Sequence, residues 1–316
     1  MRTVLAGDLG GTKCRFALVA EDLSVAAVQQ FATVREREPF LAAFDGAIAA
    51  ALAQRPAGWE APTAAGFGTA GVIPLHGRSI DRAPNLPLDD YPLADHVAER
   101  FALPTAILND GRASAWGEYV RGHAAGADPL LCLFFGTGIG IGLMVSGKPY
   151  LGAANAAGEI GHTIFRPGGR RCPCGGLGHF EAYCGGRAII ERAAEEIAPQ
   201  APAELGGGRW SAGSVAAAAN LPGAAGAAAR AILDDAASAS VALVANACTL
   251  LNPAAVVLGG GVLTGWPALR ARIETEVPQL TSRLIHEGLR FASSLGESDA
   301  ILWGAAAAAG LSIRRR

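Results

Sequence analysis

Between positions 158 and 181 the chain reads GEIGHTIFRPGGRRCPCGGLGHFE. That run holds two carboxylates (Glu159, Glu181), two imidazoles (His162, His179) and two thiols one residue apart (Cys172, Cys174). Imidazole nitrogen and thiolate sulfur are the donors that a zinc-type cation prefers. A Gly-rich segment so poor in apolar side chains buries little surface, so another force must order it. A bound metal is the expected brace.

Two further segments could bind anions. Asp8-Leu-Gly-Gly-Thr-Lys13 follows an apolar run from Thr3 to Gly7 and precedes another from Arg15 to Val19. About 128 residues later the pattern returns, with Leu130 to Phe135, then Gly136-Thr-Gly-Ile-Gly140, then Ile141 to Val145. Each reads as strand, glycine turn and returning strand, a weak internal repeat. Glycine lets backbone amides approach a ligand closely, and successive N–H groups form an anion-binding concavity. A plain glycine hairpin fits either turn alone equally well. Neither turn carries the GxxxxGK[ST] pattern, and GTGIGIG lacks the helix of a dinucleotide fingerprint. Asp8 adds a carboxylate suited to Mg²⁺ through water.

Asp110 follows an apolar run, Thr105 to Leu108, and enters an expected helix from Arg112 to Val120. A carboxylate there can take a proton from a hydroxyl; it can equally serve as a helix cap. Triple glycine at 259–261 closes a strand at Ala254 to Leu258, and leaves space for a flat ligand or makes an ordinary turn into a helix.

The elements that must position these groups alternate. Phe40 to Ala53 and Tyr91 to Phe101 have helical spacing, while Thr63 to Gly68 and Thr105 to Leu108 read as strands, so the class is α/β. Beyond residue 185 the chain reads as mainly helical, including the Ala/Gly-rich stretch from Gly206 to Ala229.

The whole chain has 316 residues, 51% apolar and 17% charged, with net charge −2. That supports a large core and argues against a nucleic-acid partner. The uncharged run from Pro129 to Gly147 is interrupted by five glycines and suits a strand pair better than a membrane span. With no apolar leader at the start, the expectation is a cytoplasmic protein with reduced cysteines at 14, 132, 184 and 248.

In order and spacing these segments resemble the ROK family of sugar kinases, within the actin-like/hexokinase superfamily. DLGGTK at 8–13 and GTGIGIG at 136–142 are similar to its two phosphate turns. APNLP at 83–87 and Asn109-Asp110 are similar to its sugar and catalytic motifs. GEIGHT, CPCG and GHFE are similar to its signature, and LNPAAVVLGGGV at 251–262 to its adenosine-side strand and turn.

The resemblance implies a two-lobed actin-like ATPase (ribonuclease H-like) fold with duplicated mixed sheets flanked by helices. Residues 1–110 would form a small lobe, completed by a C-terminal helix around 300–316 (centred on Ala300 to Ile313). Residues 111–299 would form a larger lobe with the zinc loop and the nucleotide contacts. The implied reaction is ATP-dependent phosphorylation of a hexose, first of all glucose to glucose 6-phosphate. N-acetylglucosamine, N-acetylmannosamine or fructose is the alternative acceptor.

By the same resemblance Asp110 is the general base, and Asn85, Asn109, Glu159, His162 and Glu181 contact the sugar. Asp8, Gly10, Gly11, Thr12, Lys13, Gly136, Thr137, Gly138, Gly260 and Gly261 bind ATP with Mg²⁺. Structural Zn²⁺ would sit on His162, Cys172, Cys174 and His179. Homodimers are usual in the family, and no membrane partner is implied. A sugar-sensing regulator is a remote alternative, because only seven residues precede Asp8 and no basic stretch appears. The chain departs from the family pattern at His179, usually cysteine, at Arg112, often Asn, and at Gly68-Thr69-Ala70-Gly71, where a Pro-Gly turn is commoner.

Overall fold

The computed structural model describes residues 1–200 and 210–311. Its first strand, β1 (Thr3–Leu9), is buried along almost its whole length, because both of its faces are covered. Leu5 and Leu9 face one core with Phe16, Phe40, Phe44 and Phe67. Val4 and Ala6 face the other, with Leu302, Trp303 and Ala306. The period-2 alternation of a strand thus serves two cores at once.

β1 pairs antiparallel with β2 (Lys13–Ala20), and β2 antiparallel with β3 (Val25–Ala32). On its other side β1 runs parallel to β4 (Ala65–Thr69), which runs parallel to β5 (Thr105–Asn109). The sheet order is β3-β2-β1-β4-β5. The second sheet uses β6 (Leu130–Phe135), β7 (Ile139–Val145), β8 (Lys148–Pro149), β9 (Ala255–Gly259) and β10 (Arg290–Ser293). Its order is β8-β7-β6-β9-β10, which repeats the first sheet strand for strand. The weak sequence repeat is therefore a duplicated mixed sheet. The charge-free run at 129–147 becomes the hairpin β6–β7.

The chain divides into two compact units: Met1–Leu130 with Gly142–Ala157 and the stretch from Leu295, and Leu131–Ile141 with Gly158–Ser294. In the first, α1 (Arg37–Ala53) and α2 (Leu93–Phe101) cover the aromatic face of the sheet. The opposite face is covered by α3 (Asp110–Arg121) and, further along the chain, by a C-terminal helix (Glu297–Ala308). Small residues set that contact: a Cβ on Gly66 would lie 1.9 Å from the Ala305 carbonyl, and one on Gly117 1.9 Å from that of Ala300.

The second unit carries α4 (Glu181–Cys184), α5 (Gly186–Arg192), α6 (Ala212–Ala218) and α7 (Gly223–Leu251). After β9 come α8 (Gly261–Gly265), α9 (Pro267–Leu280) and α10 (Arg283–His286), so the C-terminal helix is α11. Helix α7 is long and apolar enough to cross a membrane by composition, but 67% of its apolar window is buried in protein, as suits a core helix.

Some boundaries differ from the sequence expectations. The helix expected from Tyr91 begins at Leu93, because Pro92 takes the N-cap. The helix expected from Arg112 begins at Asp110, capped by Asn109. Helix α11 stops at Ala308: Gly310 turns to φ +82°, and Leu311 N–H bonds back to the Ala306 carbonyl. Residues 312–316 of the expected terminal helix, and 206–209 of the Ala/Gly-rich stretch, lie outside the described residues. Strands β3 and β10 were not anticipated; both lie at sheet edges and are half-exposed, so their apolar signal is weak.

Candidate functional site

Each unit presents a glycine turn joining its first two strands. In the first unit, Gly10 N–H bonds the Lys13 carbonyl at 3.1 Å, and Thr33 Oγ1 donates to the Gly10 carbonyl at 2.6 Å. In the second, Gly136 N–H bonds the Gly138 carbonyl at 3.0 Å. Among the described residues, the amides of Gly11 and Thr12 have no acceptor in the protein, nor do those of Thr137 and Gly138. Two successive unclaimed N–H groups at equivalent places in both sheets form the concavity an anion needs. A Cβ at Gly11 would lie 2.5 Å from Asn85 Cβ, so glycine is required there and Asn85 is held against this turn. Asp8 is half-buried near the end of β1, and Lys13 is exposed at the start of β2.

Asp110 opens α3. Gly111 N–H is shared between Asn109 Oδ1 at 3.0 Å and Asp110 Oδ1 at 2.8 Å. Asn109 thus caps the helix, which frees Asp110 from being needed as the cap. Burial pushes the Asp110 carboxyl above the ordinary carboxylate range, against the lowering effect of the Gly111 amide and Asn109. Asn109 Nδ2 also reaches the Gly71 carbonyl at 3.4 Å. Arg112, one of the family departures, is buried: it donates to Asn155 Oδ1 at 2.8 Å and to the Ala157 carbonyl at 3.1 Å. Asn155 in turn donates to the Ile73 carbonyl at 2.8 Å. The guanidinium thereby ties α3 to two loops.

In the second unit, Gly260 caps α8 at φ +99°, and a Cβ there would lie 2.4 Å from the Phe135 carbonyl. Gly261 is open on that side, with nothing within 4 Å of a built Cβ.

The 158–181 segment folds back on itself. Ile164 bridges His179, and Phe180 N–H bonds the Thr163 carbonyl at 3.1 Å, bringing His162 beside His179. Cys172 N–H bonds the Gly176 carbonyl at 2.8 Å in a tight turn that carries both cysteines, Cys172 buried and Cys174 exposed. The donor atoms of His162, Cys172, Cys174 and His179 all lie within 4.8 Å of one another. Cys172 Sγ is 3.6 Å from His162 Nδ1, and Cys174 Sγ is 3.2 Å from His179 Nδ1. A tetrahedral zinc site puts S and N ligands roughly 3.5 Å apart, so the donor set and spacing fit that ion.

The longer imidazole at 179 is accommodated because residue 176 is glycine: a Cβ there would lie 2.2 Å from the His179 ring. The Cys172 thiol is pushed up to about 11, chiefly by burial, so coordination must displace its proton. His162 Nε2 faces Glu159 at 3.9 Å. Glu159 itself is exposed.

Sequence reasoning missed the anchors beneath this loop. Arg166 pairs with Asp235 on α7 at 2.6 Å, and Arg192 on α5 reaches the same carboxylate at 2.9 Å. Burial alone would raise the Asp235 carboxyl; the two guanidiniums hold it below the ordinary range. Only the Arg192/Glu196 spacing of four hinted at this network. Also missed was the clamp on the second glycine turn, where Gly186 and Arg187 N–H groups bond the Gly136 and Thr137 carbonyls, each at 2.9 Å. Beside that turn lies a small open pocket lined by Thr137, Gly138, Glu181, Arg171 and Arg187.

Comparison with known proteins identifies the lineage. Residues 4–310 match the profile of the ROK family. A glucokinase of Streptomyces coelicolor is 33% identical over 193 residues, 61% of this chain and 59% of its own length. An N-acetylmannosamine kinase of Salmonella arizonae is 33% identical over 62% of this chain and 66% of its own length. The matched stretch thus spans about three fifths of the length of these curated relatives. A crystal structure of a ROK glucokinase from Streptomyces griseus, in complex with glucose and AMPPNP, is 30% identical. It superposes with a TM-score of 0.73 over 98% of this chain and 99% of its own. The two mixed sheets flanked by helices are those of the actin-like ATPase fold.

Proposed function

The chain belongs to the ROK family, and from that premise we propose that it phosphorylates a hexose with ATP, glucose being the first expected acceptor. The observation that carries this reading is the duplicated glycine hairpin, with two unclaimed successive amides in each copy. Phosphoryl transfer depends on positioning and charge stabilisation more than on covalent chemistry. Oriented N–H groups at Gly11, Thr12, Thr137 and Gly138 are suited to phosphate oxygens, and they need no reorganisation as charge shifts.

Asp110 is the group we assign to receive the hydroxyl proton. Its raised carboxyl is better matched to proton transfer near neutrality than an ordinary aspartate would be. Asn85, Asn109, Glu159, His162 and Glu181 are the assigned sugar contacts. Gly260 and Gly261 are the assigned nucleoside-side contacts, Gly260 packed on the Phe135 backbone and Gly261 leaving open space beside it. Asp8 offers the single hard oxygen donor that Mg²⁺ accepts alongside water, and when bound that ion neutralises phosphate charge. Zn²⁺ on His162, Cys172, Cys174 and His179 would order the loop without touching phosphate. With Nδ1 turned to that cluster, His162 keeps Nε2 for Glu159 or a sugar hydroxyl.

The same family resemblance supports a homodimer in the cytoplasm, with residues 1–110 and a terminal helix as the smaller lobe. The alternative acceptor is an N-acetylhexosamine, as for the Salmonella relative. A coupled ADP-release assay over hexoses and N-acetylhexosamines tests the proposal. Sugar-dependent turnover supports it and names the acceptor; ATP hydrolysis indifferent to every sugar, or none at all, overturns it.

A further inference from the structure

Glu181 stands in the assignment above as a sugar contact, but its carboxylate is already committed on one side. Oε2 accepts from the Ile139 amide at 2.8 Å, the amide that directly follows the unclaimed pair at Thr137 and Gly138. The contact is close enough that a Cβ on Gly138 would lie 2.3 Å from that oxygen. The other oxygen, Oε1, lies 4.0 Å from the sulfur of Cys172 in the metal cluster. Glu181 is also two residues past His179, and Ala182 N–H bonds the His179 carbonyl at 3.1 Å. The same short stretch continues to Gly186 and Arg187, whose amides hold the two turn carbonyls. From the metal ligand at 179 to residue 187, one continuous piece of chain therefore grips the second glycine turn by a side chain and by two backbone bonds.

We propose that Glu181 couples the metal cluster to the second glycine turn, so that metal occupancy sets nucleotide affinity. This rests on the kinase reading and on zinc as the ion. With the cation bound, His179 and Cys172 are fixed, and Glu181 holds the turn in its anion-ready shape. Without it the 179–187 stretch loses its tether, and binding a triphosphate must also supply the cost of ordering the turn. Coupling between two sites commonly amounts to 5–150-fold in affinity and is reciprocal. Glu181 is a positioning residue in this scheme, whatever its second oxygen does for the sugar.

The test compares zinc-loaded and zinc-depleted protein, both dialysed into Mg²⁺ buffer free of zinc and chelator. Calorimetry reads the affinity of a non-hydrolysable β,γ-imido ATP analogue. Depletion is expected to weaken binding about tenfold in the wild type. Glu181→Ala should bind weakly whether loaded or depleted, while Glu181→Gln, which keeps an acceptor for Ile139, should retain most of the metal dependence. Reciprocity supplies a second arm that uses only the loaded protein: the analogue must tighten zinc against a competing chelator by the same factor. Equal analogue affinity with and without zinc, or full metal dependence surviving in Glu181→Ala, overturns the coupling alone. A loaded wild type that does not bind the analogue overturns the kinase reading together with it.

Discussion

Two residues carry opposite relations between stability and function. Folding raises the Asp110 carboxyl, so the folded chain holds that proton more tightly than the unfolded one. Stability from this group is therefore fullest below the unfolded pKa of about 3.9 and falls as pH rises through the folded value. At neutral pH the buried charge is a net cost. Asp110→Asn removes it, and Asn109 still caps α3, so the variant should melt no lower than wild type at pH 7. Turnover should fall by roughly 10²–10⁴-fold with sugar binding kept, the usual worth of a general base. Thermal melts and steady-state kinetics check both halves; a lower melting point with normal turnover would make Asp110 structural. In wild type, kcat/KM should also fall on the acid side as Asp110 takes its proton. Gly176 has the reverse character, since its missing side chain contributes space for the His179 ring. Gly176→Ala pushes a methyl into the His179 ring, and zinc affinity read by chelator competition should drop about 10–100-fold, as when a ligand's supporting shell is disturbed. Unchanged affinity would show that His179 is not a ligand.

At the scale of elements, helix α11 shows what the sequence could and could not reveal. Its Ala-rich composition announces a helix, but nothing local announces that residue 304 must be glycine. In an exposed helix, Gly→Ala gains about 1 kcal/mol. Here a Cβ on Gly304 would lie 1.8 Å from the Ala113 carbonyl of α3, a backbone atom that cannot rotate away. Overpacking of this kind costs about 1–3 kcal/mol, so the clash should outweigh the propensity and Gly304→Ala should lower the melting temperature. A variant more stable than wild type would mean α3 and α11 separate easily. The same distinction governs the rest of the chain. Strands buried on two faces, such as β1, β4 and β6, and the glycine turns after β1 and β6 were legible because burial and turn chemistry leave local signals. The edge strands β3 and β10 were not, since half-exposed strands lack a continuous apolar run. Among candidate site residues, donor type marked the 158–181 segment and the family resemblance singled out His162, Cys172, Cys174 and His179, whose donor atoms lie within 4.8 Å of one another. Arg166, Asp235 and Arg192 were missed because a charge on a loop or a helix looks solvated until its partner, 43 or 69 residues away, is placed.

For the whole molecule, the six cysteines make a measurable map. Cys14, Cys132, Cys184 and Cys248 are fully buried. Burial pushes the thiols of Cys14 up to about 11 and of Cys184 and Cys248 to about 12, so almost no thiolate exists there at neutral pH. Cys174 is exposed, and Cys172 is buried beside it within the Cys/His cluster. Reaction with a thiol reagent should therefore sort the cysteines into classes. In zinc-depleted folded protein, Cys174 should react first and Cys172 more slowly. With zinc bound both should be protected, because the sulfur lone pairs are engaged and the loop is fixed. Only global unfolding should release the remaining four. Mass spectrometry of labelled peptides along the time course assigns each class. If Cys172 and Cys174 react equally fast with and without zinc, the loop does not hold the ion through sulfur. If any of the four buried thiols reacts as early as Cys174, the core packing around that residue opens far more readily than its burial implies.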